Sequence, residues 1–400
     1  HRAVICPEPS ALQELVRELH RQARPWLPAG SGSRLGWGPA VLPAPGDSEP
    51  LVVSTGQLNA LVEHCAGDFT VTVQAGLPLQ ILQSELAAAG QWLAVDWPWG
   101  SGAAGEASGT VGGLIARGLA GGLRQRYLGV RDQLIGIQLL RADGTAAKAG
   151  GKVVKNVAGY DLMRLFSGSW GSLGLITELT LRTYPLPRQR SGLLLRGPLA
   201  ALEQLRQRCL TAPLMPQRLD WLNPALSGDD QPALLLALAS VSAAAIADQL
   251  QQHQSAAAAA GVDSQRLDQD QLLELEAHSR NGCSDWLLRL GVLPAQVMQL
   301  LNDPALKGLS CCLAAGAGLG MAWGSAEQVP AFRVMELRRR CLELGGQLSV
   351  LQQPAGSNPL PVWEASPAAR VIEAVKREFD PLQQLARGRL PGVAQAGVNP

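Results

Sequence analysis

No charge of one sign dominates this chain of 400 residues: 34 Lys and Arg stand against 33 Asp and Glu, a formal net charge of +1. That balance leaves no basic stripe for a nucleic-acid backbone. Long apolar runs are missing as well. Ala233 to Ala247, among the longest, is too short and too interrupted to span a bilayer, which argues against direct membrane insertion. The seven cysteines (Cys6, Cys65, Cys209, Cys283, Cys311, Cys312 and Cys341) are odd in number and contain no C-x-x-C pair. Neither a disulfide framework nor a zinc or iron-sulfur site is seeded, and a reducing, cytoplasmic setting is expected. Arg2 to Pro9 lacks the apolar core of a signal peptide, and the missing initiator Met leaves the true start open.

What is there is α/β traffic. Ser10 and Gln13 read as a capping box, and Leu12, Leu15, Val16 and Leu19 recur at helical spacing, predicting a helix over Ala11 to Arg21. Leu51 to Ser54 and Thr70 to Gln74 read as strands with a helix between them at Gln57 to Cys65; another helix is expected from Leu79 to Ala89. Strands follow at Leu134 to Arg141, ended by the turn Ala142 to Thr145, at Gly174 to Tyr184 and at Ser191 to Arg196. Beyond Pro187 the texture shifts to Leu, Ala and Gln. Strands are expected there at Ala233 to Ser240 and Ser310 to Ala315, and helices at Ser242 to Gln254 and Glu327 to Leu344. The Ala256 to Ala260 tract reads as a helix end or variable loop, and a last helix, Ala368 to Phe379, leads into a loose tail. The fold class is therefore α+β, in three stretches: 1–188, a smaller α+β domain over 189–335, and a C-terminal helical segment over 336–400.

Glycine is concentrated where a bulky ligand could lie against open backbone. Gly30-Ser31-Gly32-Ser33 combines two glycines and two hydroxyls in one turn, letting amides approach a pyrophosphate. Alone that is a common surface turn. It is joined by Trp97-Pro98-Trp99-Gly100-Ser101-Gly102, by Thr110-Val111-Gly112-Gly113, by Gly118 to Gly122, and by the R-x-R-Y-x-G-V-R-D segment of Arg124 to Asp132. With Lys152 to Leu181 (KVVKNVAGYDLMRLFSGSWGSLGLITELTL), these motifs in order resemble the PCMH-type FAD domain of the vanillyl-alcohol oxidase superfamily. Within it, they are most similar to the FAD-binding E subunits of bacterial glycolate oxidase, or glycolate dehydrogenase. The resemblance covers about residues 5 to 188 well and the remainder loosely.

The resemblance implies an FAD-binding domain of two α/β subdomains followed by a cap-like domain. It assigns Gly30, Ser31, Gly32 and Ser33 to the pyrophosphate loop, and Pro98, Thr110, Gly112, Gly113, Gly118 and Gly121 to turns along the ribityl chain and flavin edge. Arg126, Tyr127 and Gly129 match the next cofactor-side segment. Gly171, Gly174, Ile176 and Thr177 match the strand start near the adenine half, and Asn156, Tyr160 and Asp161 the N-x-A-G-Y-D-L turn. Asp132 and Asp161 read as structural, and Lys152 and Lys155 as a solvated pair. Covalent flavin attachment in this superfamily uses a His or Cys beside the ring. His1, His20, His64, His253 and His278 all lie outside the glycine loops, so non-covalent FAD is expected. Gly316-x-Gly318-x-Gly320 lacks the helix and acidic residue of a Rossmann fingerprint and reads as a flexible strand-end loop.

Oxidation of a 2-hydroxy acid on flavin needs a base for the hydroxyl proton and a cation for the carboxylate. The family's D-lactate and glycolate enzymes carry a G-D-x-N-x-H metal element where this chain reads Ala314 to Gly320, so no metal ligand is assigned and the catalytic residues stay unassigned. His253 and His278 read as surface histidines, Arg338 to Arg340 as a solvated helix face, and Arg387 and Arg389 replace an expected asparagine-proline-glycine turn. Three functions stay open. The first is an accessory FAD subunit of a glycolate or D-2-hydroxy-acid dehydrogenase complex, working with a catalytic flavoprotein and an iron-sulfur subunit and reaching a membrane only through them. The second is a self-sufficient dehydrogenase using Arg387, Arg389 or Tyr127, and the third a scaffold that has kept only the fold.

Overall fold

β-Branched and leucine-rich strands pair into four sheets in a computed structural model that describes residues 3–102, 104–152, 161–277, 284–356 and 358–394. The chain forms two units: His1–Leu119 with Gly129–Leu186 and Pro361–Pro400, and Ala120–Leu128 with Pro187–Leu360. This division differs from the three stretches expected from sequence. Residues 336–352 complete the sheet of the second unit, and the chain returns to the first unit from Pro361.

In the first unit, β1 (Val4–Ile5), β2 (Trp26–Ala29) and β3 (Leu51–Ser54) form a parallel sheet in the order β1-β3-β2. Helix α1 (Pro9–Arg21) lays Leu12, Val16 and Leu19 against Trp26, Leu51 and Val53, all buried. The expected capping box does not form. Glu8 is the N-cap residue, and the Gln13 side chain instead donates to the Gly144 carbonyl at 3.0 Å. A second sheet takes the order β4-β5-β9-β7-β8, from β4 (Leu61–Cys65), β5 (Thr70–Gln74), β7 (Leu134–Leu140), β8 (Ala146–Gly150) and β9 (Leu175–Arg182); the short β6 (Gln91–Trp92) pairs with β10 (Tyr184–Pro185).

The helix expected over Gln57 to Cys65 is thus corrected to a turn and a strand. Leu61 finds Val73 across the ladder, and pairing to the β-branched run of β5 outweighs the local helical pattern. On one face of this sheet Val71, Val73, Leu179 and Leu181 meet α2 (Leu79–Ala88) and α3 (Val111–Arg117). Leu79, Leu82 and Leu86 are completely buried, each stabilising the unit by about 1.5–3 kcal/mol.

The tail after helix Ala369–Phe379 is not loose. Phe379 packs edge-on to Phe166 with ring centroids 5.5 Å apart, and Asp380, Gln384, Leu385, Ala386 and Arg389 are buried. Leu385 forms a parallel bridge with Trp26, and Gln384 donates to the carbonyls of Leu19 and Arg24. Leu385 thereby adds a single bridge to the edge of the first sheet.

In the second unit, eight strands form one antiparallel sheet: β11 (Gln189–Arg196), β12 (Arg218–Leu222), β13 (Ala233–Ser240), β14 (Asp263–Leu267), β15 (Trp286–Gly291), β16 (Ser310–Ala314), β17 (Leu319–Gly324) and β18 (Gln347–Gln352). Their spatial order is β14-β11-β13-β12-β16-β17-β15-β18. Alternate residues such as Leu193, Leu219, Leu236, Leu288 and Leu313 face α4 (Leu199–Thr211), α5 (Ala243–Ala259) and α7 (Ala331–Glu343) in one core; α6 (Gln269–Ala277) covers part of the opposite face through Leu272. The Ala tract is the last turn of α5.

Several expectations for this unit need correction. Gly316 and Gly318 do lie in a strand-end turn, between β16 and β17, but Gly320 is already in β17, where a Cβ would lie 1.9 Å from the Cys312 carbonyl. Arg338 is buried and donates to the Leu348 carbonyl, whereas Arg339 and Arg340 pair with Glu343. His253 is no surface histidine. It shares the stripe of Ile246, Leu250 and Ala257, and its Nδ1 lies 3.8 Å from Cys209 Sγ. Burial, with a smaller contribution from the Arg208 charge, holds its pKa below the usual 6.5. The unfolded chain therefore binds a proton that the folded unit resists, and stability falls as pH drops below 6.5 until the folded-state ring itself titrates. Urea unfolding at neutral and mildly acidic pH should show this loss in the wild type and a smaller one in His253→Gln; equal losses would exclude His253 as the cause.

Candidate functional site

The G-S-G-S loop begins where β2 ends, which places Gly30 to Ser33 at the C-terminal edge of a parallel sheet, beside the end of β3. Ser54 donates to the Gly30 carbonyl at 2.8 Å and the Thr55 amide to the Ala29 carbonyl at 2.8 Å, fixing the entry to the loop. Thr110 lies directly against Gly30, since a Cβ there would be 2.1 Å from Thr110 Oγ1. Thr110 caps α3 by accepting the Gly113 amide at 3.1 Å. The Gly112 amide donates to the Ala75 carbonyl, and the Ala75 amide to the Thr177 carbonyl. Gly30, Thr110, Gly112, Gly113 and Thr177, far apart in sequence, are thereby joined around one strand end.

A second corner forms around Ser31 and Ser33. Gly109, with φ +76°, has room for a Cβ only 3.1 Å from Ser33 Oγ and 3.2 Å from Arg34 Nη1. Arg34 ties this corner to the Pro98 turn: its Nη2 donates to the Trp99 carbonyl at 2.8 Å and to Ser101 Oγ at 3.1 Å, while the Ser101 amide donates to the Pro98 carbonyl. Gly118 ends α3 at φ +62°, and a Cβ there would meet Gly168 backbone at 2.6 Å.

Other expected positions fall elsewhere. Gly174 is pressed against Leu139 and the Leu140 carbonyl, and the Ile176 side chain is in the core, so their side of the strand start is closed by packing. Gly171, at φ +75°, packs on Pro28. The Gly129 amide donates to Asp132, as a structural aspartate would accept it. Asp161 pairs with Arg164, and Lys152 is exposed, as expected, in an ion pair with Glu63. Gly121, Arg126 and Tyr127 belong to the second unit, where the Gln217 side chain donates to the Tyr127 hydroxyl at 3.2 Å. Lys155, Asn156, Tyr160 and His278 lie outside the described residues.

Sequence reasoning singled out Arg389 without a site for it and missed Arg34 and Arg117. Arg34 sits over the Trp37 ring at 5.4 Å; Arg117 lies between Trp37 (5.5 Å) and Trp170 (4.7 Å) and donates to the Arg34 carbonyl at 2.5 Å. Arg389 donates to the carbonyls of Leu35 and Pro39 at 2.8 and 3.0 Å, so it holds the loop's continuation. Burial pushes the Arg117 pKa down to about 9, with Arg389 and then Arg34 adding repulsion, and burial brings Arg34 down to about 10. Both stay charged at neutral pH. Among the described residues neither has a carboxylate partner, an arrangement that is costly unless an anion completes it. Arg34 follows the glycine loop directly and was the one cation whose position hinted at this.

In the second unit, strand alternation sends Leu288 and Leu290 into the core and Arg289 to the other face, between Met321 and Ser349 of the neighbouring strands. Burial lowers the Arg289 pKa, with Arg124 adding repulsion. It has no hydrogen-bond or ion-pair partner among the described residues. No group of three or more potential metal ligands occurs among them, and no helix there is long and apolar enough to cross a membrane.

Residues 2–150 match the family described as "FAD binding domain". The glycolate oxidase subunit GlcE of Escherichia coli (strain K12) is 34% identical over 202 residues, 50% of this chain and 54% of that protein. The glycolate oxidase subunit GlcD of Bacillus subtilis (strain 168) is 34% identical over 214 residues, 53% and 42% of the two chains. A D-2-hydroxyglutarate dehydrogenase of Xanthomonas citri is 35% identical over 188 residues, 47% and 37%. The chain thus spans about half or less of these relatives. Among solved structures, alkyldihydroxyacetonephosphate synthase matches with a TM-score of 0.69 over 96% of this chain and 75% of the other; at 13% identity the likeness is one of fold.

Proposed function

We propose that this chain, which carries an FAD binding domain over residues 2–150, takes part in flavin-linked oxidation of a 2-hydroxy acid, glycolate foremost, as one subunit of a dehydrogenase complex. The observation that carries the reading is the close convergence of the glycine loop, Thr110 and Gly109, with the desolvated arginines Arg34 and Arg117 beside it and no carboxylate partner for either among the described residues. Its chemistry fits a dinucleotide: amides and hydroxyls for the diphosphate, cations for its charge, and no Cβ to fill the cradle. Gly30 to Ser33, Thr110, Gly112 and Gly113 would hold FAD, with Pro98 and Gly118 shaping the adjoining turns. FAD, when bound without a covalent link, supplies the hydride acceptor and the outlet for electrons.

A subunit role rests on likeness to the two glycolate oxidase subunits and on the Ala314 to Gly320 hairpin, which offers no titratable side chain where a catalytic partner would need one. The complex would contain a catalytic flavoprotein and an iron-sulfur subunit, lie in the cytoplasm, and meet a membrane only through them. The decisive experiment pairs the visible spectrum with glycolate- and D-lactate-dependent dye reduction, with and without co-expressed partners. A yellow protein active only in the complex is expected. Activity of the lone chain would favour a self-sufficient dehydrogenase, and a colourless chain that takes up no added FAD would defeat both.

A further inference from the structure

We infer that Arg34 is the diphosphate-reading residue of the dinucleotide site, held in place from behind by Arg117 and Arg389. The inference rests on the FAD reading above and adds a residue that the glycine motifs do not contain. Of the five N–H bonds of the Arg34 guanidinium, four are used. Nε and Nη2 donate to the Trp99 carbonyl at 3.2 and 2.8 Å, Nη2 also to Ser101 Oγ, and Nη1 to Ser33 Oγ at 3.0 Å. The fifth, on Nη1, is left at the corner where Gly109, Ser31 and Ser33 converge. That corner stays open because Gly109 has no side chain, and its positive φ favours glycine. Two serine hydroxyls and one guanidinium N–H around an open backbone match the several oxygens of a phosphoric diester better than a single carboxylate.

All six partners of Arg34 and Arg117 given above are neutral: two carbonyls, two hydroxyls and the faces of Trp37 and Trp170. They orient the cations without neutralising them. Arg117 grips the Arg34 carbonyl, and Arg389 grips those of Leu35 and Pro39, so the segment carrying Arg34 is fixed at three carbonyls that all point to positive charge. Arg117 and Arg389 are positioning residues; Arg34 carries its remaining donor at the loop.

The test compares FAD, ADP and riboflavin on the full-length apoprotein by fluorescence titration. Arg34→Met should weaken FAD and ADP about 10- to 100-fold and leave riboflavin, which has no phosphate, at wild-type affinity; Arg34→Lys should recover part of the loss. In the unmodified protein, inorganic pyrophosphate should raise the melting temperature and compete with FAD, which keeps the inference testable should Arg34→Met fold poorly. Equal weakening of FAD and riboflavin, unchanged FAD affinity in Arg34→Met, or no effect of pyrophosphate on the wild type would each overturn it. If the variant binds FAD as tightly as the wild type, only the role of Arg34 falls; if the wild type binds no FAD, the FAD reading falls with it.

Discussion

Asp380→Ala is expected to destabilise the first unit by about 3–5 kcal/mol, the cost of leaving a buried charge without its partner. Asp380 is fully buried and accepts the Lys376 ammonium at 2.5 Å, the Gln384 amide at 3.0 Å and the Leu385 amide at 2.8 Å. Lys376 in turn donates to the carbonyls of Ser172 and Leu385 at 2.6 and 2.8 Å. One carboxylate thus closes the turn that carries the chain back to Trp26. Without it the ammonium stays buried among carbonyls and two amides lose their acceptor. Burial already lowers the Lys376 pKa, and Asp380 pulls it back up; removing Asp380 lowers it further. A depressed lysine pKa means that the unfolded chain binds the extra proton, so the variant should gain stability as pH rises from its folded-state pKa towards the usual 10.5. Urea unfolding across alkaline pH measures this. A deficit that does not shrink with pH would show that the lost amide contacts, not the lysine charge, set the cost. Replacing both residues with apolar ones should recover part of the loss.

Gly30→Val should strip the protein of flavin. The new Cβ would lie 2.1 Å from Thr110 Oγ1 and 2.8 Å from its Cγ2, so either the loop or the start of α3 must move. Overpacking costs about 1–3 kcal/mol, and loss of the Thr110 cap about 1 kcal/mol more. If both fall on the bound state, affinity drops roughly 30- to 1,000-fold, the conversion of about 2–4 kcal/mol. Gly32 is constrained differently: its φ of +74° disfavours a side chain, while the nearest atom to a Cβ, Leu35 Cδ1, is 3.3 Å away and can yield. Gly32→Asn should therefore keep its flavin, because asparagine tolerates the left-handed region. The flavin absorbance that survives desalting decides between them. A yellow Gly30→Val would mean that the loop does not approach the cofactor at Gly30.

The glycine motifs were legible because a requirement for absent side chains leaves its mark at each position separately. So was the strand of Thr70 to Gln74, whose Thr and Val residues favour a pleated surface, and that of Ala233 to Ser240, a short apolar run buried along most of its length. Where the outcome depended on a distant partner, local pattern misled. Gln13 left the capping box for a carbonyl of the Gly144 turn, Leu61 joined a strand, and His253 turned inward beside Cys209. The arginine group is the extreme case, since residues 34, 117 and 389 come together only after the fold closes, and only the place of Arg34 after the glycine loop hinted at it. Gly121, Arg126 and Tyr127 show the converse: motif neighbours in the sequence, they fold with the second unit.

The contact between Leu19 and Gln384 joins residues 365 positions apart, and this has a bearing on biosynthesis. Translation at 5–20 residues per second separates the emergence of the two by on the order of 20 to 70 seconds. Throughout that interval the nascent N-terminal half lacks the segment that pairs with Trp26. It must wait, with apolar surface exposed, in the care of whatever holds nascent chains. Ribosomes that stop before Lys376 should release a polypeptide containing the glycine loops yet unable to finish the first unit, which makes the codons for residues 376–389 a checkpoint on cofactor loading.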